Sequence, residues 1–286
     1  MKLFSYKRDG VSMPGVLRGG DVIDLRQLDA DMPSDITAFL AAGPAAMERV
    51  AGLLSKYDGP VARVEDCELA PVVPRPGKIL CLGLNYVEHA KEGGMPIPKD
   101  PVVFLRTTTS LLGPGQPCRV SPLSEQLDFE AELAIVIGSR ARGVLREAAL
   151  SHVAGYSVFN DLTYRDFQFR GPQWTMGKNF DGTGAFGPCL VTADELPAGA
   201  DGLRITTRIN GELVQNGNTS DMIFKVPEVI EILSSVMTLE PGDVIITGTP
   251  AGVGAGRKPP LWLKAGDVCE VEIECIGKIT THMVAA

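Results

Sequence analysis

The chain has 286 residues, 44 % of them hydrophobic and 22 % charged, with a formal net charge of −8; this is the make-up of a soluble globular protein with room for a large core. The acidic balance argues against nucleic acid and anionic membrane as partners, while leaving room for a local positive pocket that takes a small anionic substrate. The six cysteines form no Cys-x-x-Cys pair and have no zinc-like spacing, and neither a signal peptide nor an apolar run of membrane-spanning length is visible, so reduced thiols in a cytoplasm are expected.

Residues 2–28 read as short strands, Leu3–Tyr6, Val16–Leu17 and Val22–Leu25, broken by Gly10, Gly15 and Gly19–Gly20. Helices are expected over Asp35–Leu40 and Ala45–Tyr57, interrupted by Gly43–Pro44. Nothing chemical stands out in residues 1–70, which read as a small accessory domain. The proline-rich connector Pro71–Gly77 marks the boundary with a larger domain over 71–286.

The strand Lys78–Leu82 leads into Gly83-Leu-Asn85-Tyr-Val-Glu88-His89-Ala-Lys-Glu92-Gly93-Gly94. Asn85 and Glu88 have capping-box spacing, and the glycines end the helix after about two turns. His89 and Glu92 share a face at i, i+3. A histidine oriented by a carboxylate is a usable general base near neutral pH, although an exposed pair on a charged helix has the same spacing. Flanking glycines would let this helix act as a lid. After the strand Val102–Leu105, Arg106–Ser110 borders either a pocket or a plain turn.

The most informative stretch is Leu127–Gly138, LDFEAELAIVIG, read as one buried strand. Phe129, Ala131, Leu133, Ile135 and Ile137 alternate onto one face, and Glu130, Glu132, Ala134 and Val136 onto the other. The two carboxylates then sit roughly 6.6 Å apart along the strand. At that spacing they repel by about 2–3 kcal/mol at an effective dielectric near 20. Either that face is solvated or a cation neutralises it, and oxygen donors suit magnesium or manganese.

A strand over Gly155–Asn160 puts Asp161 at its end, a possible third acid for the same ion. Arg165 and Gln168 follow at i, i+3. They could hold a carboxylate, or Arg165 could pair with Asp161 or Asp166. Residues 171–182 read as loop, with Lys178 among small and aromatic neighbours. A hairpin turns at Asn210–Gly211, an amphipathic helix spans Val226–Val236 with Pro227 near its start, and the strand Val244–Thr247 enters the glycine-rich run 248–254. That run offers backbone donors to an anion but lacks the Gly-Lys-Ser/Thr of nucleotide loops. Val268–Cys275 is the last expected strand.

The series Gly-Leu-Asn85-Tyr-x-x-His89-Ala-x-Glu92, Asp128-Phe-Glu130-x-Glu132-Leu, Asp161-x-x-x-Arg165-x-x-Gln168, Gly177-Lys178-x-Phe180-Asp181 and Thr247-Gly-Thr249-Pro resembles the fumarylacetoacetate hydrolase family. The hairpin Ile209–Gln215 and the run Gly256–Pro260 are also similar to it. The match covers Lys78 to the C-terminus, and the first seventy residues resemble the small N-terminal domain of many members. The resemblance implies an α+β, predominantly β fold: a mixed β-sheet roll as catalytic domain, with a small N-terminal α/β accessory domain. It also implies a homodimer.

For the site, the resemblance implies Mg2+ or Mn2+ on Glu130, Glu132 and Asp161. It implies a water-activating dyad of His89 and Glu92 on a mobile lid, with Lys178, Arg165, Gln168 and Thr249 around the substrate's oxygens. The expected reaction is hydrolysis of the C3–C4 bond of an acylpyruvate-type 2,4-dioxo acid through an enolate. Lys178 would stabilise the alkoxide and the cation would act as a Lewis acid. The alternatives on the same platform are decarboxylation of oxaloacetate-like acids and isomerisation of 2-hydroxyhepta-2,4-diene-1,7-dioate-type acids. A non-catalytic oligomeric binding protein is the remote third. Arg106 stands where relatives often have lysine, which bears on substrate shape if it faces the pocket.

Overall fold

The computed structural model describes residues 1–286. An eleven-stranded mixed sheet forms its centre, in the order Ala62–Arg63, Asp21–Asp24, Val11–Arg18, Lys2–Arg8, Gly184–Thr192, Val153–Asp161, Ala131–Ile137, Val244–Ile246, Ile79–Gly83, Val102–Leu105, with Leu111–Leu112 added beside Gly184–Thr192. A second, five-stranded sheet runs Glu212–Asn218, Arg204–Ile209, Val268–Ile273, Gly277–Ala285, Cys118–Val120. Helices are short and lie between strands, so the architecture is mixed α+β and mostly sheet. The N-terminal strands continue the central sheet. Lys2–Arg8 pairs antiparallel with Gly184–Thr192 and carries the sheet outward. The helices Ile36–Ala41 and Pro44–Leu54 bury Ile36, Phe39, Leu40 and Val50 in one cluster with Ala134, Val136, Val244 and Ile246.

The strand Ala131–Ile137 is covered on both sides. Ala131, Leu133, Ile135 and Ile137 face the larger core, and Ala134 and Val136 face the smaller one. This removes the solvated-face reading of Glu130 and Glu132, which are themselves buried. The expected single strand over 127–138 is broken. Leu127–Asp128 pairs with Thr163–Tyr164 in a separate ribbon, and regular pairing of the long strand starts at Ala131. The break lies at Phe129–Glu130, where the Asp128 carboxylate accepts from the Phe129 N–H instead of leaving it to a ladder.

The capping box expected at Asn85 does not form either. The helix is Val87–Glu92 with Tyr86 as N-cap and no side-chain cap. The fully buried Asn85 amide instead ties three segments together, accepting from Phe224 N at 2.7 Å and donating to Thr247 O at 2.7 Å and Phe224 O at 3.1 Å. Local capping lost because these long-range backbone groups have no other partner in a dry core. Asn85→Ala is therefore expected to destabilise the protein by about 1–3 kcal/mol, read as a lower urea midpoint with unchanged slope.

Candidate active site

Sheet register brings the three acids together. Ala131 is the partner of Asn160 and Glu132 that of Phe159. Glu130 therefore lies across from Asp161, whose N–H donates to Glu130 O at 2.9 Å. Glu132 follows two residues along, on the same side of the pleat. One carboxylate oxygen from each of Glu130, Glu132 and Asp161 lies within 4.8 Å of the other two.

Around these acids the charges are paired one by one. Arg165 Nε donates to Asp128 Oδ2 at 2.7 Å, and its Nη2 lies 2.6 Å from Glu130 Oε1 without hydrogen-bond alignment. Lys178 Nζ contacts Glu130 Oε2 and lies 2.7 Å from Asp161 Oδ2. Arg106 Nη1 is in close contact with Asp161 Oδ1. Four buried carboxylates, Asp128, Glu130, Glu132 and Asp161, thus meet three buried cations, Arg106, Arg165 and Lys178. The acid without a side-chain cation is Glu132, whose carboxylate accepts from the Gly248 N–H.

The electrostatics follow from that count. Burial, with Asp161 and Glu130 as neighbouring negative charges, pushes the Glu132 carboxyl well above the usual range. Burial alone would also push Glu130 up, but Arg165 and Lys178 beside it hold it below the ordinary value. Burial works against the Lys178 ammonium, and Asp161 and Glu130 more than compensate, so it stays charged. Three converging oxygen donors, one positive charge short, fit a hard divalent cation. Lys178 bridges Glu130 and Asp161 as the resident counter-charge, and an ion arriving there would repel it toward the cavity.

A cavity of about 370 Å³ opens over this floor. His89, Glu92, Glu130, Glu132, Arg165, Gln168, Lys178 and Thr249 all line it, while Asp161 lies fully buried beneath. The stretch expected to be loop contains the helical turn Thr175–Lys178, which presents the lysine. Arg165 and Gln168 begin and end another turn. Gln168 Oε1 accepts from Arg165 Nη1 at 3.0 Å, which leaves the Gln168 amide N–H groups to donate. Arg106 is not among the lining residues. With its side chain fully buried on Asp161, Ser110 and Thr183, it acts on the acid rather than on substrate shape.

The run after Val244–Ile246 does serve anions, but they belong to the protein. Gly248 N donates to Glu132, Gly252 N to both Glu92 oxygens at 3.0 and 3.1 Å, and Gly254 N and Ala255 N to Asp128 at 2.6 and 3.0 Å. Glu92 therefore latches the helix Val87–Glu92 to this loop while its Oε2 lies 3.5 Å from His89 Nδ1. The latch requires glycine at 256, where a Cβ would come within 2.4 Å of the Glu92 carboxyl carbon. Gly256→Ala is expected to displace Glu92 and with it His89, lowering turnover roughly 10²-fold with cation affinity kept. Steady-state kinetics beside a cation titration check this.

Two further positioning residues escaped the reading of the sequence. Asp128 holds both Arg165 and the 254–255 backbone. Gln215, also buried, donates to Thr249 Oγ1 and Pro250 O at 2.9 Å and accepts from Ala131 N and Thr207 Oγ1. Both stand inside quoted motifs, Asp128-Phe-Glu130 and Ile209–Gln215, and that adjacency was the available signal.

Residues 78–284 match the fumarylacetoacetate (FAA) hydrolase C-terminal family. The chain is 43 % identical over 268 residues to the Homo sapiens mitochondrial oxaloacetate tautomerase FAHD2A, covering 93 % of this chain and 85 % of that protein. Among solved structures, fumarylacetoacetate hydrolase from psychrophilic Exiguobacterium antarcticum superposes with a TM-score of 0.86 at 37 % identity, with all of both chains covered. Maleylpyruvate hydrolase from Sphingobium sp. SYK-6 gives 0.82 at 29 % identity, again over all of both chains. No helix is long and apolar enough to cross a membrane.

Proposed function

The chain belongs to the fumarylacetoacetate hydrolase family, a family of enzymes, and on that premise we propose that it is a divalent-metal-dependent enzyme interconverting the keto and enol forms of a 2-oxo acid. Oxaloacetate is the substrate for which its 43 % identical relative is named. The observation that carries the reading is the cavity itself. A proton-moving pair, His89 and Glu92, shares it with Glu130 and Glu132, which with Asp161 beneath make a three-carboxylate cluster one charge short, and with the donors Arg165, Gln168, Lys178 and Thr249.

A cation held by Glu130, Glu132 and Asp161, with Mg2+ or Mn2+ suited to the oxygen donors, would supply positive charge against the 2-oxo oxygen as it becomes an enol oxygen. Arg165, Gln168 and Thr249 orient the substrate carboxylate through their free N–H and O–H groups. Thr249 Oγ1 already accepts from Gln215, so its own hydrogen is available to donate. In the enolising direction His89, positioned by Glu92, removes a proton from C3. The C–H electron pair becomes the C2–C3 double bond, and the 2-oxo oxygen takes up a proton, so the atoms balance as an isomerisation. Lys178 places an ammonium near the developing oxyanion.

Hydrolysis of an acylpyruvate between C3 and C4 is the second reading, favoured by the likeness to maleylpyruvate hydrolase. There His89 would deprotonate water for attack at C4, giving a carboxylic acid and pyruvate. The separating assay follows enol absorbance of oxaloacetate and release of pyruvate from an acylpyruvate in parallel, with magnesium, manganese and chelator. Metal-dependent enol decay without pyruvate supports the first reading, and acylpyruvate cleavage alone rejects it. The proposal includes a homodimer. The outermost strand Val102–Leu105 leaves Val103 and Leu105 exposed on an unpaired edge where a second copy could seat.

A further inference from the structure

Each acid of the cluster has two carboxylate oxygens, and at each acid one of them is already claimed by a donor. Asp161 Oδ1 contacts Arg106 Nη1, Glu130 Oε1 faces Arg165 Nη2 at 2.6 Å, and Glu132 Oε2 accepts from the Gly248 N–H. The remaining oxygens are Glu132 Oε1 and the two that share Lys178 Nζ, Glu130 Oε2 and Asp161 Oδ2. One oxygen per acid is therefore open to an ion that displaces the lysine. Of the three donors, Gly248 acts through its main chain and Arg165 also lines the cavity. Arg106 does neither: its side chain is fully enclosed and lies outside the cavity wall.

The pocket around Arg106 aims it at a single oxygen. Its Nε donates to Ser110 Oγ at 3.2 Å and its Nη2 to Thr183 Oγ1 at 2.8 Å. Both hydroxyls spend their own hydrogens elsewhere, on Thr107 O at 2.7 Å and Phe180 O at 2.6 Å, so toward the guanidinium they can only accept. The Phe159 ring lies 5.6 Å from Cζ. Gly184 closes the pocket with bare backbone, since a Cβ there would come within 3.2 Å of Nε and Nη2 and 2.7 Å of the Phe159 ring. With Nε and Nη2 tied down, the rigid fork leaves Nη1 directed at Asp161 Oδ1, with Leu162 O 3.5 Å from the same nitrogen. An ammonium, a point charge on a flexible stem, cannot hold these acceptors in one plane.

We propose that Arg106 is a positioning residue that sets which cation the site accepts: by occupying Asp161 Oδ1 it limits that carboxylate to one free oxygen, which favours a small six-coordinate ion and disfavours calcium. The inference rests on the reading of Glu130, Glu132 and Asp161 as an ion site. Calcium takes roughly six to eight oxygens and commonly draws both from one carboxylate, whereas magnesium and manganese are content with single oxygens completed by water and substrate. A guanidinium held on Oδ1 in a dry pocket repels a second cation from that oxygen.

The test measures Mn2+ and Ca2+ binding to the metal-stripped full chain by calorimetry, without substrate, for wild type, Arg106→Lys and Thr183→Val. Wild type is expected to hold Mn2+ about 10²-fold more tightly than Ca2+, because single-oxygen donors leave calcium short of ligands. Arg106→Lys is expected to narrow that ratio about ten-fold, the scale on which groups behind a metal ligand act, with Mn2+ affinity falling and Ca2+ affinity holding. Thr183→Val removes one acceptor while keeping the guanidinium, so it narrows the ratio several-fold, and it decides alone if Arg106→Lys does not fold. A merely structural role would weaken both ions alike, so a ratio unmoved in the folded variants overturns the proposal. Wild-type protein that binds Ca2+ as tightly as Mn2+ also overturns it, while leaving the three acids standing as an ion site. Binding of neither ion to the wild type overturns both readings.

Discussion

His89→Ala is expected to lower turnover by about 10²–10⁴-fold, the usual contribution of a positioned general acid or base, while divalent-cation affinity stays unchanged. His89 lines the cavity on the helix Val87–Glu92, and its ring nitrogen faces Glu92. It makes no bond to the carboxylates of the floor, so its removal leaves their geometry intact. Glu92 keeps its two contacts to Gly252 N, so the lid stays latched. The loss therefore falls on kcat more than on KM. Kinetics with calorimetric cation titration of the same preparation separate the effects. A variant retaining wild-type turnover removes the proton-moving role, and one that loses cation affinity as well moves His89 into the metal site.

Glu132→Gln is expected to abolish cation binding and activity together while leaving the metal-free protein as stable as the wild type or more so. The reasoning lies in how the acids differ. Glu130 and Asp161 each hold a buried ammonium or guanidinium, so deleting either strands a cation and destabilises the fold by about 3–5 kcal/mol. Glu132 holds none, and burial beside two other carboxylates already favours its uncharged form. The amide matches that form in shape and removes the charge that the ion requires. Thermal unfolding with chelator and with manganese checks both halves. Manganese raises the wild-type midpoint by linkage and leaves the variant unmoved. A manganese-dependent rise preserved in Glu132→Gln contradicts the role assigned to this carboxylate.

Periodicity made the placement of the candidate site's acids legible, while the choice of an ion over a solvated face came from the family resemblance. Alternation along 129–137 put Glu130 and Glu132 on one face, and the end of the next expected strand supplied Asp161. The structure joins these through the antiparallel register of two neighbouring strands. The i, i+3 spacings of His89 with Glu92 and Arg165 with Gln168 both survive as contacts. The hairpin at Asn210–Gly211 forms as read, with both residues in the left-handed region at φ 50° and 85°. What local pattern could not reveal were partners distant in sequence. Asn85 left its expected cap for Phe224 and Thr247, and the glycine run turned its donors on internal carboxylates.

The strand Gly184–Thr192 was hidden for a different reason. It contains Gly184, Gly187 and Pro188, residues that ordinarily argue against a central strand. The register shift against Val153–Asp161 between Tyr156 and Val158 accommodates the proline. Lys178 looked like a loop residue because its helical turn is a single four-residue turn, too short to carry a periodic signal. Nor could spacing reveal that Lys2–Arg8 extends the main sheet, since that pairing joins residues nearly two hundred positions apart.

The convergence of Glu130, Glu132 and Asp161 on one ion is tested most directly by an anomalous difference map from crystals soaked in manganese. The account predicts a single strong peak about 2 Å from an oxygen of each acid, with Lys178 Nζ withdrawn from between Glu130 and Asp161 toward the cavity. Manganese found elsewhere, with the lysine still bridging those two carboxylates, contradicts it.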